Sequence, residues 1–280
     1  MGLLSRNLGT ALARFLTKPL GRSPTATSPV ELLERTLQPG DVLLVEGDTR
    51  LSTSIRYLTQ STWSHAALYV GPQLQLPARG GETPSLIEAD LREGVRAVGL
   101  SEFAAFHTRI CRPVGLTAED RARLIDYMLQ RIGHQYDLKN VFDLARYLLR
   151  TPPVPAHWRR RLIALGSGDP TRAICSTLIA QAFQSIRYPI LPEISREKLD
   201  DPDCRDCYRE LMHIRHHSLF APRDFDVSPF FEVVKPRVAQ GFDYRAIAWS
   251  TGAGHALADA APAGPTAAAT PGPQRGLPAA

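Results

Sequence analysis

Residues 62–71 read Thr-Trp-Ser-His-Ala-Ala-Leu-Tyr-Val-Gly, so that a histidine, His65, stands directly before the apolar run of residues 66–70. The run is closed by Gly71 and Pro72, which favour a turn. A short apolar run with a turn signal at its end is typical of a buried β-strand. We therefore predict a strand over residues 66–70, with the imidazole of His65 at its start.

Similar short runs on both sides of this stretch predict a small sheet with helices around it. The predicted strands are 42–45, 66–70, 86–89, 95–98 and 109–113, and the third and fourth of these form a hairpin. The spacing of apolar residues predicts helices over residues 30–37, 52–58, 117–131, 140–150 and 174–186. The last helix interleaves small residues with apolar ones, which suits a buried central position.

The composition excludes several classes of protein. The 280 residues, of which 44% are apolar, suffice for one domain of moderate size. The net charge of +5, from 33 Lys and Arg against 28 Asp and Glu, is too mild for a nucleic-acid-binding surface. Four cysteines are too few for the disulfide framework of a small secreted domain, so we expect a reducing, cytoplasmic location.

The N-terminal residues 1–22 contain no acidic side chain and predict an amphipathic helix. Its apolar face would consist of Leu4, Leu8, Ala11, Leu12 and Phe15. Such a helix favours peripheral contact with the inner membrane, and the alternative is an arm that packs on the domain or frays. No run approaches the roughly 20 apolar residues of a membrane-spanning helix. Arg14 interrupts what would be the apolar region of a secretory signal.

Three reactive side chains stand beside apolar elements. His65 precedes a predicted strand, Glu88 lies near the end of a neighbouring one, and Cys175 lies in the first turn of the last predicted helix. A helix N-terminus and a nearby imidazolium can lower the pKa of a thiol from about 8.5 to roughly 3.5–7.5, which favours the nucleophilic thiolate. His65 would supply the imidazolium, and a carboxylate such as Glu88 could hold its ring in one orientation.

Each of these residues alone has an ordinary structural explanation. A buried cysteine is more often a small apolar core residue, and a single histidine is more often held by structural hydrogen bonds. Within the same chain, His107 rivals His65 as a base, and Cys111 rivals Cys175 as a nucleophile. Cys111, however, lies inside a predicted strand, where no helix terminus acidifies it. The order and context of the motifs together favour a catalytic site.

Five short motifs follow one another between residues 39 and 179. They are Pro-Gly-Asp-Val-Leu-Leu at 39–44, Ser-His-Ala-Ala-Leu-Tyr-Val-Gly at 64–71, Ile-Glu-Ala at 87–89, Gly-His-Gln-Tyr-Asp at 133–137 and Cys-Ser-Thr-Leu-Ile at 175–179. In this combination the chain resembles the permuted NlpC-type cysteine hydrolases, the YiiX- and YaeF-like branch of the papain-like superfamily. In that branch the histidine motif precedes the cysteine helix, which is the reverse of papain.

The resemblance implies both a fold and a site. The fold would be α+β, a circularly permuted papain-like fold of the NlpC type, in which the cysteine helix packs against an antiparallel sheet or small barrel. Cys175 would match the nucleophile, His65 the general base and Glu88 the third polar residue. Tyr136 would match a tyrosine that lies near the site and contacts the substrate. The resemblance implies no cofactor and no metal.

The motifs also suggest how the chain is divided. Residues 1–37 would form the basic amphipathic segment and its linker, and residues 38–250 the cysteine hydrolase domain. Residues 251–280 are rich in Ala, Gly, Pro and Thr and predict a disordered tail. A basic, proline-rich insert over residues 151–170 separates the tyrosine motif from the cysteine motif. Our hypothesis is that this insert covers the cleft and sets specificity.

A second set of candidate ligands lies near the end of the domain. Cys204 and Cys207 form a Cys-x-x-Cys pair that is followed by His213, His216 and His217, and zinc accepts such ligands. The separation between Cys207 and His213 is much shorter than in zinc fingers, and the sequence has no second Cys-x-x-Cys. We therefore predict no metal site and keep zinc as the alternative.

The expected function is that of a thiol-dependent hydrolase. It would be an amidase, peptidase or esterase that works through a Cys-His-Glu site and a covalent acyl-enzyme. Its partner would be a small-molecule, peptide or lipid acyl substrate, and not a nucleic acid. Two alternatives stay open, namely a lipid-directed acyltransferase or thioesterase that uses the same site, and a non-catalytic binding module at the membrane.

Overall fold

A computed structural model describes residues 14–21, 26, 28–72, 81–135, 174–198, 208–236 and 245 of the chain. The chain divides into a compact unit of residues 1–237 and a second unit of residues 238–280, of which only Arg245 is described. Some predictions lie outside the described residues and stay predictions: most of the N-terminal helix, Tyr136, the helix over 140–150, the insert over 151–170, Cys204 with Cys207, and the tail over 251–280.

The first unit contains an antiparallel sheet of six strands and a separate two-stranded hairpin. The strands are β1 (Val42–Glu46), β2 (His65–Tyr69), β3 (Leu86–Asp90), β4 (Gly94–Val98), β5 (His107–Pro113), β6 (Glu193–Lys198), β7 (Tyr208–His213) and β8 (Phe231–Val234). Their order in the sheet is β4-β3-β2-β1-β5-β8, and β6 pairs with β7. All five strands that the apolar runs predict are therefore confirmed.

Helices and short turns connect these strands. The helices are α1 (Val30–Thr36), α2 (Arg50–Thr59), α3 (Ala118–Leu129), α4 (Ile174–Ser185) and α5 (Pro222–Asp226), and 3₁₀ turns cover Leu100–Phe103 and His217–Leu219. Four of the five predicted helices are confirmed, and the fifth lies outside the described residues. In the part of the chain that the structure describes, no helix is long and apolar enough to cross a membrane.

The sequence patterns do not predict β6, β7, β8 or α5. Strands β6 and β7 lack an apolar run because they form an exposed two-stranded ribbon. Ion pairs cross this ribbon, between Arg196 and Glu210 at 3.1 Å and between Arg209 and Glu197 at 2.8 Å. Exposed ion pairs stabilise weakly, and charged residues alone do not indicate a strand.

The central strands β1 and β2 are buried on both faces, which explains their continuous apolar sequences. On one face, Leu44 and Leu68 share a core with Phe183 of α4. On the other face, Leu43 packs in a second core with Leu33 of α1. Successive residues of a strand point to opposite faces, so each strand contributes to both cores. Helix α4 lies against β2 and β3.

The Pro-Gly-Asp motif at 39–41 forms the turn into β1. Gly40 has a φ of +97°, which favours glycine. The Asp41 side chain is 1% exposed, and its carboxylate accepts hydrogen bonds from Arg112 Nε at 2.9 Å and Nη2 at 2.7 Å. The backbone N–H of Gln38 donates a third bond at 2.8 Å. A buried carboxylate requires such partners, so the motif anchors the sheet and is not part of a reactive site.

We predict that Arg112→Met lowers the free energy of unfolding by about 3 kcal/mol, because it leaves the Asp41 carboxylate buried without its cation. The matched control is Arg123→Met, which removes an exposed pair with Asp120 that contributes at most about 1 kcal/mol. Urea unfolding of both variants at neutral pH measures the difference. Equal losses in the two variants would contradict a structural role for the buried pair.

Candidate active site

Three residues that the motifs single out, His65, Glu88 and Cys175, line one cavity of about 350 Å³. His65 is the first residue of β2, Glu88 is the third residue of β3, and Cys175 is the second residue of α4. Strands β2 and β3 are neighbours, and α4 lies against both. Residues that are far apart in the sequence therefore meet because these three elements pack together.

The Glu88 carboxylate is held from two sides. Its side chain is 4% exposed, and its Oε2 lies 2.5 Å from Nε2 of His65. Its Oε1 accepts a hydrogen bond from Arg96 Nε at 2.8 Å, and Nη2 of the same guanidinium lies 2.6 Å away. The buried charge is thus compensated by an arginine at one oxygen and by an imidazole at the other.

Cys175 lies next to His65 in the site. It lies in the first turn of α4, is 4% exposed, and lines the same cavity as His65, whose pKa it raises through charge and hydrogen bonding. Since Nε2 of the ring is engaged by Glu88, Nδ1 is the nitrogen that remains for the sulfur. The imidazole therefore connects a carboxylate to a thiol through its two nitrogens, as in sites where a base activates a nucleophile and a third group orients the base.

Charges around His65 favour its protonated form. Burial lowers the pKa of His65, but charge interactions and hydrogen bonds with Cys175 and Glu88 outweigh burial and hold this pKa well above its ordinary value. Burial raises the pKa of Glu88, but the charges and hydrogen bonds of His65 and Arg96 outweigh it and lower this pKa to about 2. At neutral pH an imidazolium therefore stands beside a carboxylate.

Arg96 is a member of the site to which the motifs do not point. It lies in β4, directly opposite Glu88 in the antiparallel pairing of β3 with β4. Its guanidinium also contacts Glu93 at 3.3 Å and Glu102 at 2.9 Å. The hairpin predicted over residues 86–89 and 95–98 could have indicated Arg96. A strand register centred on the turn places Glu88 opposite Arg96, and opposite charges in directly paired positions are stabilising.

The rival pair, His107 and Cys111, lies elsewhere in the sheet. Both belong to β5, which is separated from β2 by β1. Cys111 is fully buried, and burial is the main cause that raises the pKa of its thiol to about 12. Nδ1 of His107 lies 3.2 Å from Glu46. Neither residue lines the cavity, so the structure separates them from the Cys175 site.

The described residues hold no group of three or more His, Cys, Asp or Glu that could bind a metal ion. Nε2 of His213 is 2.7 Å from the hydroxyl of Ser195 across the β6–β7 hairpin. Cys204 and Cys207 lie outside the described residues, as does Tyr136. The zinc alternative and the substrate contact of the tyrosine therefore stay predictions.

The remaining walls of the cavity are largely apolar. Helix α2 contributes Leu51, Ile55 and Leu58, while Phe103 and Phe220 come from other segments. The sequence motifs do not identify this wall, because an apolar helix face that borders a cavity has the same spacing as one that faces a core.

We predict that His65 stays protonated above neutral pH and that its pKa falls in Cys175→Ala and in Glu88→Gln, because each variant removes a charge interaction and a hydrogen bond that raise this pKa. NMR titration of the ring Cε1 proton measures this pKa, and Cys111→Ala is the control that leaves it unchanged. Because the pKa of His65 is higher in the folded chain than in the unfolded chain, protonation of His65 stabilises the fold. This stabilisation is fully present below the pKa of the unfolded state and is lost as the pH rises through the pKa of the folded state. A pKa of His65 below 6.5 in the native protein would contradict the arrangement.

Comparison with known proteins finds a family similarity over part of the chain. Residues 36–147 match the permuted papain-like amidase enzymes, YaeF/YiiX, C92 family, and this range includes His65, Glu88 and Arg96 but ends before Cys175. Among solved structures, the metalloprotein yiiX from Escherichia coli O157:H7 is similar at 17% identity and a TM-score of 0.43, over 72% of this chain and 98% of that one. None of the curated proteins matches the chain. Over residues 36–147 the family match confirms the resemblance found in the motifs: this part of the chain is similar to the permuted papain-like amidases of the YaeF/YiiX type, which indicates an enzyme of the cysteine hydrolase kind.

Proposed function

We propose that the chain hydrolyses amide or ester bonds through a covalent acyl-enzyme, with Cys175, His65 and Glu88 as its catalytic residues. The observation that carries the proposal is the hydrogen-bonded series of His65, Glu88 and Arg96, with Cys175 beside His65 at the wall of the same cavity. A nucleophile, a base and an orienting group within reach of one another are what such chemistry requires. The description of the family as amidases supports an amide as the first bond to test.

In the first half of the reaction, the sulfur of Cys175 attacks the carbonyl carbon and forms a C–S bond. The carbonyl electron pair moves to oxygen, where the backbone N–H of Cys175 at the start of α4 stabilises the charge. When this intermediate collapses, the bond to the leaving group breaks, and His65 donates its proton to the departing nitrogen or oxygen. The raised pKa of His65 keeps that proton available at neutral pH.

Glu88 orients the base and does not itself gain or lose a proton. Its bond to Nε2 directs Nδ1 of His65 toward Cys175 and stabilises the imidazolium. Arg96 acts as a positioning residue, because it engages the other oxygen of Glu88 and keeps the carboxylate from rotating away. A carboxyl group with a pKa of about 2 stays ionised throughout the catalytic cycle.

In the second half, His65 is neutral and takes a proton from water. The water oxygen attacks the thioester carbonyl, the C–S bond breaks, and the sulfur leaves as a thiolate beside the imidazolium. An alcohol or amine in the place of water would make the chain an acyltransferase with the same three residues. The apolar walls of the cavity favour a lipid acyl donor for that alternative.

We predict that Cys175→Ala abolishes hydrolysis of p-nitrophenyl acetate and of acetyl-coumarin amide. We expect His65→Gln to lower kcat/KM by at least about 100-fold, because it removes the general acid and base. Release of nitrophenol or aminocoumarin at neutral pH measures the rate. The matched control is Cys111→Ala, which removes the other described free cysteine and should retain the activity of the native chain.

Alkylation by iodoacetamide gives a second readout that needs no substrate. Cys175 should react at least about tenfold faster in the native chain than in His65→Gln near neutral pH, because an imidazolium favours the thiolate. Full hydrolytic activity in Cys175→Ala would contradict the proposal. Equal alkylation of Cys175 in the native chain and in His65→Gln would contradict it as well and would favour a non-catalytic binding module.

A further inference from the structure

We propose that the cavity beside Cys175 binds an aliphatic chain, so that the enzyme acts on amides or esters with a linear, uncharged hydrocarbon next to the scissile bond. The inference rests on the proposed function and deepens it by naming the class of substrate. It depends on how the walls of the cavity are built and on where its charges lie.

The first wall is one face of α2. Leu51, Ile55 and Leu58 follow one another at spacings of four and three residues, which places them on the same side of the helix. All three line the cavity. Within the described residues, none of them belongs to either hydrophobic core of the sheet. Their apolar surface therefore borders the cavity, and an apolar ligand would remove it from water.

The second wall is aromatic. Phe103 and Phe106 come from the segment between β4 and β5, and Phe220 comes from the segment before α5. The ring of Phe103 stacks on that of His65, with centroids 6.3 Å apart. The aromatic wall thus begins next to the reacting groups. A hydrocarbon attached to a carbonyl at Cys175 could extend directly along the rings.

The charges of the lining argue against an anionic occupant, and the apolar walls argue against a cationic one. Among the described residues that line the cavity, the one arginine or lysine is Arg96, and its guanidinium is already bound to Glu88 and Glu102. Asp48 and Asp90 add carboxylates, which repel an anionic chain end. A cationic chain end would lose its hydration along the apolar walls. We therefore infer a chain that carries no charge.

The size of the cavity limits the length of the chain. A volume of about 350 Å³ lies near the lower end of the roughly 300–1,000 Å³ that small-molecule sites span. Such a space suits a hydrocarbon of medium length and is too small for a whole diacyl lipid. We therefore expect kcat/KM to increase with each of the first several methylene groups added to the substrate and then to stay constant.

The test is a series of substrates measured on the native full-length chain. One arm of the series places the alkyl chain of the substrate on the acyl side, with acetyl, butanoyl, hexanoyl, octanoyl and decanoyl amides of aminocoumarin. The other arm places it on the leaving group, with N-alkyl acetamides of the same lengths followed by mass spectrometry. We expect kcat/KM to rise by about threefold to fourfold per methylene in at least one arm before it levels off, which is the factor for burying one CH₂ group.

Two variants of α2 test whether the increase in kcat/KM with chain length depends on the cavity. Ile55→Trp fills the space beside α2 and should lower the ratio of octanoyl to acetyl kcat/KM at least about tenfold relative to the native chain, since several methylenes lose their site. The matched control is Thr53→Trp, which adds the same ring at an exposed position of the same helix and should leave the ratio unchanged. Circular dichroism verifies folding, and Leu51→Gln replaces Ile55→Trp if the latter does not fold.

The outcomes separate this inference from the proposed function. Turnover that depends on Cys175 but does not rise with chain length in either arm overturns the inference alone. A higher kcat/KM for chains that end in a carboxylate or an amine also overturns it. If no substrate is turned over through Cys175, the proposed function fails, and calorimetry with Cys175→Ala then tests the cavity. Tighter binding of octanamide than of acetamide would support the apolar site, and equal or absent binding would overturn it.

Discussion

A carboxylate that is buried beside a histidine must have its charge balanced, and Arg96 provides this balance for Glu88. Because the two residues face each other across the β3–β4 hairpin, Glu88 can be 4% exposed and still be ionised. Its second oxygen is then free to hold Nε2 of His65, which leaves Nδ1 for Cys175. The chemistry thus depends on a strand register, since a slip of one residue would move Arg96 to the other face of the sheet.

The rest of the fold holds this series in place. Strands β1 and β2 are buried on both faces, so the start of β2 that carries His65 has little freedom to move. Helix α4 packs against β2 and β3 and brings Cys175 to the same point. Beyond the two cores, the apolar face of α2 encloses space instead of filling it, and Phe103 and Phe220, which belong to those cores, line the same space. His65, Glu88 and Cys175 line the same space, and most of its remaining surface is apolar.

Much of the sheet could be predicted from the sequence, because strands that are buried on both faces leave continuous apolar runs such as residues 66–70. The three residues proposed as catalytic could be selected from their motifs, and the structure places them at one cavity. The order of the His65 and Cys175 motifs indicated the family. The hairpin of β6 and β7 could not be predicted, since its exposed strands are stabilised by cross-strand pairing that leaves no apolar pattern. Arg96 and the α2 wall depend on which residues face each other in space, and a linear pattern does not contain that information.

Direct detection of the acyl-enzyme tests the central claim. The native chain is mixed with p-nitrophenyl octanoate, quenched in acid during turnover, and examined by intact mass spectrometry and peptide mapping. The account predicts a mass increase of one octanoyl group, located on Cys175, with Cys111 unmodified. Turnover without any acylated protein, or an octanoyl group on another residue while Cys175 stays free, would contradict it.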